Sequence, residues 1–321
     1  MAVGANIKKR RYELRMSQQD LANALGYKTR STIAKIESGE NDVTQKKLQK
    51  FAQVLDTTVE ALITGNFSAI ASSLSAPFSA ICPSVGTSKR QKTVAVILAG
   101  GKSIRNHQNI PNQFINILGK PVIVYILEAY QAHPAIDDVY VVCLKGWEKI
   151  VTAYAEQYNI SKLRGLIPAA ASGILSVKNG LEAVREKYDE NDIIIFQEST
   201  RPMVNADMIS QLLQACFETG SANICQSMKD YVQFSYVNGK AHYVDRNTVV
   251  DLQSPEAYRF KVITAVFQKA AAENHALTES CCVMLMYNLG FNISFIEGSV
   301  NNLKIIRQED ITIITSLLKS L

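Results

Sequence analysis

Between residues 93 and 227, apolar runs rich in β-branched residues alternate with amphipathic stretches, and this alternation constrains the fold more than any other feature. The runs "TVAVILA", "DDVYVVCL", "DIIIFQ" and "SANICQS" predict strands that are buried on both faces. The intervening stretches "PVIVYILEAYQA", "WEKIVTAYAEQY", "ILSVKNGLEAVREKY" and "ADMISQLLQACFETG" predict helices. The pattern therefore indicates an α/β domain of the Rossmann-like type, with a mostly parallel sheet covered by helices.

The segment "DYVQFSYVNGKAHYVDRN" interrupts this alternation. The aromatic residues Phe234 and Tyr236 alternate with Gln233 and Ser235 before Asn238-Gly239, and Tyr243 follows it. Asn-Gly is the preferred dipeptide of tight two-residue hairpin turns, because both positions adopt positive φ. The segment therefore predicts a β-hairpin arm that projects from the sheet.

The composition and targeting signals suit a globular protein of the cytoplasm. A length of 321 residues allows two domains, and no apolar run approaches the roughly 18–20 residues that span a bilayer. The cations near the N-terminus precede no apolar stretch, so a secretory signal is not expected. The six cysteines show no C-x-x-C spacing and are expected to be reduced thiols rather than zinc ligands or disulfides.

The positive charge is confined to the first part of the chain. Residues 1–65 contain eleven Lys/Arg and seven Asp/Glu, and the Ser/Ala-rich segment 66–92 adds three bases and no acid. Residues 93–321 contain 20 bases and 22 acids. We therefore expect an N-terminal helical domain that binds a polyanion, a flexible basic linker, and a separate α/β domain.

The N-terminal domain is expected to contain five short helices, and one pair of them has a distinctive connection. Ser17 is placed to cap the first helix of the pair, and Gly26 permits a tight turn into the next. That next helix is expected over residues 30–38, with Ile33 and Ile36 facing inward. The pair therefore has the pattern of a helix-turn-helix.

This domain resembles the Cro/repressor type of helix-turn-helix domain along its whole length. In that family the second helix of the pair enters the major groove of DNA. The resemblance implies DNA contacts by Gln18, Gln19, Arg30, Ser31, Thr32 and Lys35. The alternative is a small helical domain whose polar face is merely solvated.

The first strand of the α/β domain ends in the glycine turn Leu98-Ala99-Gly100-Gly101. Glycines at such a position let backbone N–H groups approach a phosphate closely, and Arg105 is placed to add positive charge. A glycine-rich strand end is common in α/β folds, so this turn alone leaves nucleotide binding open.

Further segments follow the turn in a particular order: "IPNQFINILGKPVIVYIL", "QESTRPMV", "VDRN", "LQSPEAYRF", "LTES" and "EGSVNNLKIIRQEDI". In this order and spacing they resemble the sugar-phosphate cytidylyltransferases of the methylerythritol-phosphate and ribitol-phosphate type, over residues 93–321. The resemblance implies attack by a substrate phosphate on CTP with release of pyrophosphate, and Mg²⁺ held by carboxylate oxygen.

Site residues follow from that resemblance, position by position. Arg105 and Lys304 would contact the reacting phosphates, and Glu198 would face the metal. The nucleotide would contact Leu98, Ala99, Gly100, Gly101, Ser176 and Ser199, and the substrate would contact Arg201, Arg246 and Ser254.

Several positions depart from the family pattern. Asn112 replaces the first loop lysine, Glu198 replaces the metal-side aspartate, and Asn301 stands where a second carboxylate is expected. Further departures are Ser103 for a glycine, Gly173 for an arginine, Ser254-Pro255-Glu256 for "TPQ" and Thr278-Glu279-Ser280 for a "TDD"-like stretch. We expect these to be surface loop positions, so that the fold survives while catalysis is weakened.

Three hypotheses remain open from the sequence. The chain is a DNA-binding regulator with a nucleotide sensor, an active cytidylyltransferase tethered to DNA, or a regulator whose second domain only dimerises the DNA-binding heads. All three imply a homodimer, because the resembled family exchanges its hairpin between subunits, and two such heads suit a palindromic operator.

Overall fold

The structure is a computed structural model, and it describes residues 2–14, 16–27, 29–41, 43, 45–55, 57, 59, 62, 90–102 and 110–320. The chain divides into two compact units, Met1–Ser88 and Lys89–Leu321. The linker expected at 66–92 lies outside the described residues except for its last three positions.

The described part of the first unit contains four helices. They are α1 (Ala2–Glu13), α2 (Gln18–Ala24), α3 (Arg30–Glu37) and α4 (Gln45–Val54). The expected fifth helix falls mostly outside the described residues. The four helices enclose an apolar core in which Ile7, Leu21, Ile33, Phe51 and Leu55 are fully buried.

Local signals position α2 and α3 as the sequence predicts. The Ser17 hydroxyl accepts a hydrogen bond from the Asp20 amide at 3.1 Å, and the Asp20 carboxylate accepts one from the Ser17 amide at 2.8 Å. This reciprocal pair is a capping box, which fixes the start of α2. Gly26 adopts φ +77° in the turn between the helices, a conformation that favours glycine.

A buried ion pair joins α1 to α3. The Arg11 guanidinium donates to both carboxylate oxygens of Glu37, at 2.6 and 3.0 Å, and to the Met16 carbonyl at 2.6 Å. The two side chains are 3% and 2% exposed. The Gln18 side-chain amide donates to the same Glu37 carboxylate at 2.9 Å. These bonds fix α3 against the rest of the domain.

The second unit is built on a seven-stranded sheet in the order β11-β7-β10-β6-β1-β4-β5. Six strands run parallel, and β10 runs antiparallel between β6 and β7. The strands are β1 (Thr93–Ala99), β4 (Asp138–Cys143), β5 (Leu163–Pro168), β6 (Ile193–Glu198), β7 (Ser221–Ser227), β10 (Val250–Arg259) and β11 (Phe295–Glu297).

Successive strand residues face opposite sides of the sheet, and each side has its own apolar core. One core lies under α5 (Val122–Ala132), α6 (Glu148–Gln157) and α8 (Ala206–Thr219). The other lies under α7 (Gly173–Val184), α9 (Phe260–Ala272) and α10 (Cys282–Asn288). Helices on both faces of a mostly parallel sheet confirm the predicted fold class.

Smaller elements complete the second unit. Two short strands, β2 (Asn116–Ile117) and β3 (Lys120–Pro121), pair with each other, and α11 (Gln308–Lys319) packs through Ile314 in a small apolar cluster with Ile305. The predicted hairpin is present as β8 (Gln233–Val237) and β9 (Lys240–Val244), joined by Asn238 and Gly239 with φ of +51° and +75°. No helix among the described residues is long and apolar enough to cross a membrane.

Candidate active site

A cleft of about 820 Å³ opens at the carboxyl ends of β1 and β6. Its walls also include the first turn of α7, the start of α10 and the segment 304–306. Open, mostly parallel sheets bind ligands outside the carboxyl ends of their strands. The site lies between two neighbouring strands whose following connections run to opposite faces of the sheet. The location agrees with the site that the sequence predicts.

The glycine turn after β1 is packed too closely to carry a side chain. A Cβ at Gly100 would lie 2.5 Å from the Ala169 Cβ, so glycine is required for this approach. The side-chain amide of Gln113 donates to the backbone carbonyls of Ala99 and Gly101, at 3.0 and 2.9 Å, and these two bonds stabilise the turn. The sequence offered no signal for Gln113, which is buried.

The central charged group of the cleft is the Glu198 carboxylate. Arg201 Nε donates to one of its oxygens at 2.8 Å, and the Lys304 ammonium forms a short ion pair with the other. Burial raises the pKa of Glu198, but the charges of Lys304 and Arg201 outweigh it, so the pKa lies below its ordinary value. Glu198 is therefore a carboxylate at neutral pH and is paired on both oxygens.

Two asparagines fasten this charged cluster to the fold. The Asn112 amide donates to the Ile305 carbonyl at 3.1 Å, next to Lys304. The backbone carbonyl of Asn302 accepts a hydrogen bond from Arg201 at 2.7 Å. The side-chain amide of Asn302 donates one to the backbone carbonyl of Ser254 at 2.8 Å. Both asparagines are almost fully buried, so Asn112, at the position where the resemblance implies a phosphate-binding lysine, has a structural role.

This burial corrects one expectation. Asn112, Ser254, Glu256 and Glu279 are not surface loop positions but are each 9% exposed or less. Buried polar side chains are tolerated where they are hydrogen-bonded. Asn112, Ser254 and Glu256 therefore change the interior wall of the cleft, whereas Glu279 is buried outside it, bonded to His275 and Asn288.

Glu256 is a second carboxyl group at the cleft, and it is in a different state from Glu198. Burial raises its pKa to about 7, and the nearby Glu198 charge acts in the same direction, against the bonds to Tyr258 and Cys282. The Tyr258 hydroxyl lies 2.9 Å from the Asn223 Oδ1 and 3.0 Å from Glu256 Oε2. The single hydroxyl proton of Tyr258 can be donated to only one of these two oxygens. When Tyr258 donates it to Asn223, a protonated Glu256 can donate its own proton to the Tyr258 oxygen, so that both hydrogen bonds are made.

The structure brings most of the predicted site residues together. Leu98, Gly100, Gly101, Ser176, Glu198, Ser199, Arg201, Ser254 and Lys304 all line the cleft. Ser176 accepts a hydrogen bond from the Ala170 amide at 3.0 Å, and Ser199 donates to the Leu98 carbonyl at 2.7 Å.

Two predicted residues that the structure describes, Ala99 and Arg246, do not line the cleft. The Ala99 side chain is buried in an apolar core, because β1 alternates its faces and Ala99 points away from the cleft. Arg246 is exposed on the turn Arg246–Thr248 between the hairpin and β10. Arg105 and Ser103 lie outside the described residues.

The described residues of the cleft form no preformed metal cage, so a magnesium ion there would depend on Glu198 and on the phosphates of a ligand. Within the described ranges, no group of three His, Cys, Asp or Glu side chains could hold a metal. Glu198 is the ionised carboxylate at the cleft, and a divalent cation there would lie beside the charges of Lys304 and Arg201. Asn301 is exposed and does not line the cleft.

The predicted DNA-contacting residues of the first unit differ in exposure. Arg30, Ser31 and Lys35 of α3 are exposed, and Thr32 is partly exposed. Gln19 is also exposed and donates to Asn23 at 2.8 Å.

Gln18 is the exception among them. Its side-chain amide donates to Glu37, the carboxylate of the buried ion pair. Gln18 therefore holds α2 against α3, a contact that the sequence did not indicate, and its contact with DNA stays a prediction.

Models of two protein families match the chain. The model described as 2-C-methyl-D-erythritol 4-phosphate cytidylyltransferase matches residues 93–320, which is more than two thirds of the chain. The chain belongs to this cytidylyltransferase family. A helix-turn-helix family model matches residues 7–62, so the first unit contains a helix-turn-helix domain.

Curated relatives of the cytidylyltransferase domain carry two different names. Ribitol-5-phosphate cytidylyltransferase of Lacticaseibacillus paracasei is 29% identical over 227 residues, covering 70% of this chain and 97% of that protein. The 2-C-methyl-D-erythritol 4-phosphate cytidylyltransferase of Clostridium botulinum strain Langeland is 28% identical over 233 residues, covering 72% and 99%.

Solved structures agree on the fold of the cytidylyltransferase domain. A 4-diphosphocytidyl-2C-methyl-D-erythritol synthase from Anaerococcus prevotii matches with a TM-score of 0.61 and 20% identity, covering 71% of this chain and 96% of that one. The 2-C-methyl-D-erythritol 4-phosphate cytidylyltransferase from Thermus thermophilus matches with a TM-score of 0.55 and 18% identity, covering 72% and 100%.

Proposed function

We propose that this chain is a DNA-binding transcription regulator whose cytidylyltransferase domain acts as a sensor of a cytidine nucleotide or nucleotide-sugar, with reduced or absent turnover. The observation that carries the proposal is the charge arrangement of the cleft. Glu198 is paired on both oxygens with Arg201 and Lys304, and Asn112 replaces a phosphate-binding lysine.

This arrangement supports binding more than catalysis. Phosphoryl transfer requires positive charge that is oriented on the developing negative charge of the transition state, and removing one such group reduces the rate by about 10²–10³. Here one cation is absent, because Asn112 takes its place, and two others are engaged by Glu198. The glycine at position 100, which packs closely against Ala169, and the polar walls of the cleft are retained. Both features suit a bound nucleotide.

The DNA half of the proposal depends on α3. Its exposed Arg30, Ser31 and Lys35 lie on the helix that family members insert into the major groove. The excess of four positive charges over residues 1–65 suits a phosphate backbone. We propose Gln19 and Thr32 as further contacts.

A homodimer is part of the same proposal. The hairpin presents large side chains to solvent that a monomer would leave uncovered. Those more than half exposed are Tyr231, Val232, Phe234, Tyr236, Val237 and Tyr243. Two helix-turn-helix domains related by a two-fold axis would suit a palindromic operator, with Arg246 at the base of the hairpin close to the partner.

Two measurements on the full chain test the sensor proposal. Calorimetric titration with cytidine nucleotides should show saturable binding, while a pyrophosphate-release assay with CTP, Mg²⁺ and ribitol 5-phosphate should show little or no turnover. A DNA fragment selected from random duplexes should change its affinity for the protein when the nucleotide is added. Nucleotide binding that leaves DNA affinity unchanged would contradict the sensor role.

The alternative function is an active cytidylyltransferase attached to a DNA-binding domain. The observation in its favour is Lys304, a cation in the cleft at a phosphate-binding position of the family. This alternative requires Mg²⁺, for which Glu198 would have to release Lys304 or Arg201. Steady pyrophosphate release in the assay above would establish it, and an absence of any nucleotide binding would leave the domain as a dimerisation scaffold.

A further inference from the structure

We propose that Asn302 is a positioning residue of the cleft, whose side chain fixes the place of the Lys304 ammonium and thereby sets the affinity of the cleft for the phosphates of a nucleotide. Asn302 is fully buried and is not among the residues that line the cleft, so it acts through Lys304 rather than by touching the ligand. The inference rests on the nucleotide binding proposed above and adds a residue that controls it.

The side-chain amide of Asn302 ties the segment before Lys304 to β10. It donates to the side-chain oxygen of Gln253 at 3.1 Å and to the backbone carbonyl of Ser254 at 2.8 Å. The Gln253 side chain in turn donates to the backbone carbonyl of Ser299 at 3.1 Å. Both N–H groups of the Asn302 amide are therefore used, and β10 holds the segment at two of its residues.

The chain is also fixed on the other side of Lys304. The Ile305 amide donates to the Thr200 carbonyl at 2.9 Å, and the Ile305 carbonyl accepts from the Asn112 side chain at 3.1 Å. Lys304 therefore lies between two anchored residues, Asn302 and Ile305. A lysine side chain is a flexible stem with a point charge at its end, so fixing its backbone is what directs the ammonium to one place.

Lys304 is the cation at this anchor that has donors to spare. The Arg201 guanidinium donates to Glu198 and to the backbone carbonyls of Asn302 and Leu252, at 2.8, 2.7 and 3.4 Å, so it mainly braces the segment. Lys304 donates to Glu198, and its side chain is 39% exposed. An ammonium has three N–H donors, so Lys304 retains capacity for a phosphate oxygen.

The part of the cleft that suits a nucleoside is held by other contacts. Gly100 packs on Ala169, and the Ser176 hydroxyl accepts from the Ala170 amide at 3.0 Å at the first turn of α7. These contacts do not involve residues 299–305. Loosening that segment should therefore weaken the binding of phosphates and spare the binding of the nucleoside.

Calorimetric titration of the full chain with CTP and with cytidine, both in EDTA, tests this selectivity. Asn302→Ala removes both donors of the amide and introduces neither a charge nor a clash. CTP affinity should fall about ten-fold or more, and cytidine affinity should change by less than about two-fold. The matched control is Asn301→Ala, because the neighbouring asparagine is exposed and does not line the cleft; both affinities should stay unchanged.

A double-mutant cycle separates positioning from a general loss of structure. Lys304→Met removes the ammonium and should by itself weaken CTP binding about ten-fold or more. If Asn302 acts through Lys304, adding Asn302→Ala to Lys304→Met should change CTP affinity by less than about two-fold, so the two effects do not add. A general loosening of the domain would lower the affinity of the Lys304→Met protein further.

The outcomes separate the inference from the function on which it rests. Unchanged CTP affinity in Asn302→Ala, equal losses for CTP and cytidine, or additive losses in the cycle overturn the inference and leave nucleotide binding standing. A wild-type chain that binds neither compound overturns the nucleotide sensor, and the inference with it. If cytidine binds too weakly to measure, the cycle decides. If Asn302→Ala does not fold, Gln253→Met, which removes an acceptor of the same amide from a partly exposed side chain, replaces it in the cycle.

Discussion

The buried carboxyl of Glu256 predicts a specific pH dependence of stability, which the variant Glu256→Gln removes. The pKa of Glu256 is raised to about 7 from an ordinary value of 4.5, chiefly by burial. Between these values the folded chain keeps a proton that the unfolded chain has released, so the free energy of unfolding falls as pH rises. A glutamine cannot ionise, and its amide can donate to Tyr258 as the protonated acid would.

The magnitude follows from proton linkage. With these two pKa values, Glu256 reduces the stability of the wild-type second unit by about 2–3 kcal/mol between pH 5 and pH 8. Glu256→Gln should lack this component, so its stability relative to wild type should increase by that amount over the same interval. Other titrating groups are common to both proteins and cancel in the difference.

Urea unfolding followed by tryptophan fluorescence measures this difference. Trp147 is the one tryptophan of the chain and stacks on Phe114 with ring centroids 4.2 Å apart, so its emission reports on the second unit. Glu182→Gln, which removes an exposed carboxylate, serves as the control. Parallel pH profiles of wild type and Glu256→Gln would refute the reasoning, because they would mean that Glu256 is ionised in the folded state at an ordinary pH.

Three further predictions concern other parts of the chain. Gly100→Ala should weaken nucleotide binding in calorimetry and destabilise the second unit by about 1–3 kcal/mol, because its Cβ would meet Ala169; an unchanged affinity would mean that the turn does not touch the ligand. Glu37→Gln should destabilise the first unit by about 3 kcal/mol in thermal unfolding, because Arg11 stays buried without a counter-charge; a loss below 1 kcal/mol would contradict this. Lys35→Gln should weaken DNA binding in fluorescence anisotropy and reduce the salt slope by about one, with stability unchanged; an unaltered slope would exclude a phosphate contact.

The strands of the seven-stranded sheet that sequence reasoning identified share one property. β1, β4, β6 and β7 are continuous apolar runs, because parallel strands in the middle of this sheet are covered on both faces. β10 was not predicted as a strand, although it lies in the centre of the same sheet. Its sequence "VDLQSPEAYR" is polar and contains a proline, and its buried polar groups are stable only because partners such as Asn302 and Asn223 bond to them.

Sequence reasoning predicted which residues lie at the site but not which of them form hydrogen bonds and ion pairs with one another. The family pattern located Glu198, Arg201 and Lys304 in one cleft, yet nothing in the sequence indicates that they pair with one another. The buried state of Asn112 was likewise missed, because its bond to Ile305 joins residues that lie 193 positions apart. Contacts of this kind depend on packing of distant segments, which local patterns do not encode.

The path of β10 has a mechanical consequence. The strand leaves the hairpin arm, pairs with β7 up to Leu252, and pairs again with β6 and β7 from Glu256 onward. The intervening residues 253–255 break the register, and two of them, Gln253 and Ser254, form part of the cleft wall. In the proposed homodimer the arm would contact the partner subunit, and the backbone that joins the arm to the sheet contributes to the cleft wall. We therefore expect contacts made by the arm and occupancy of the cleft to affect the same residues, 253–255.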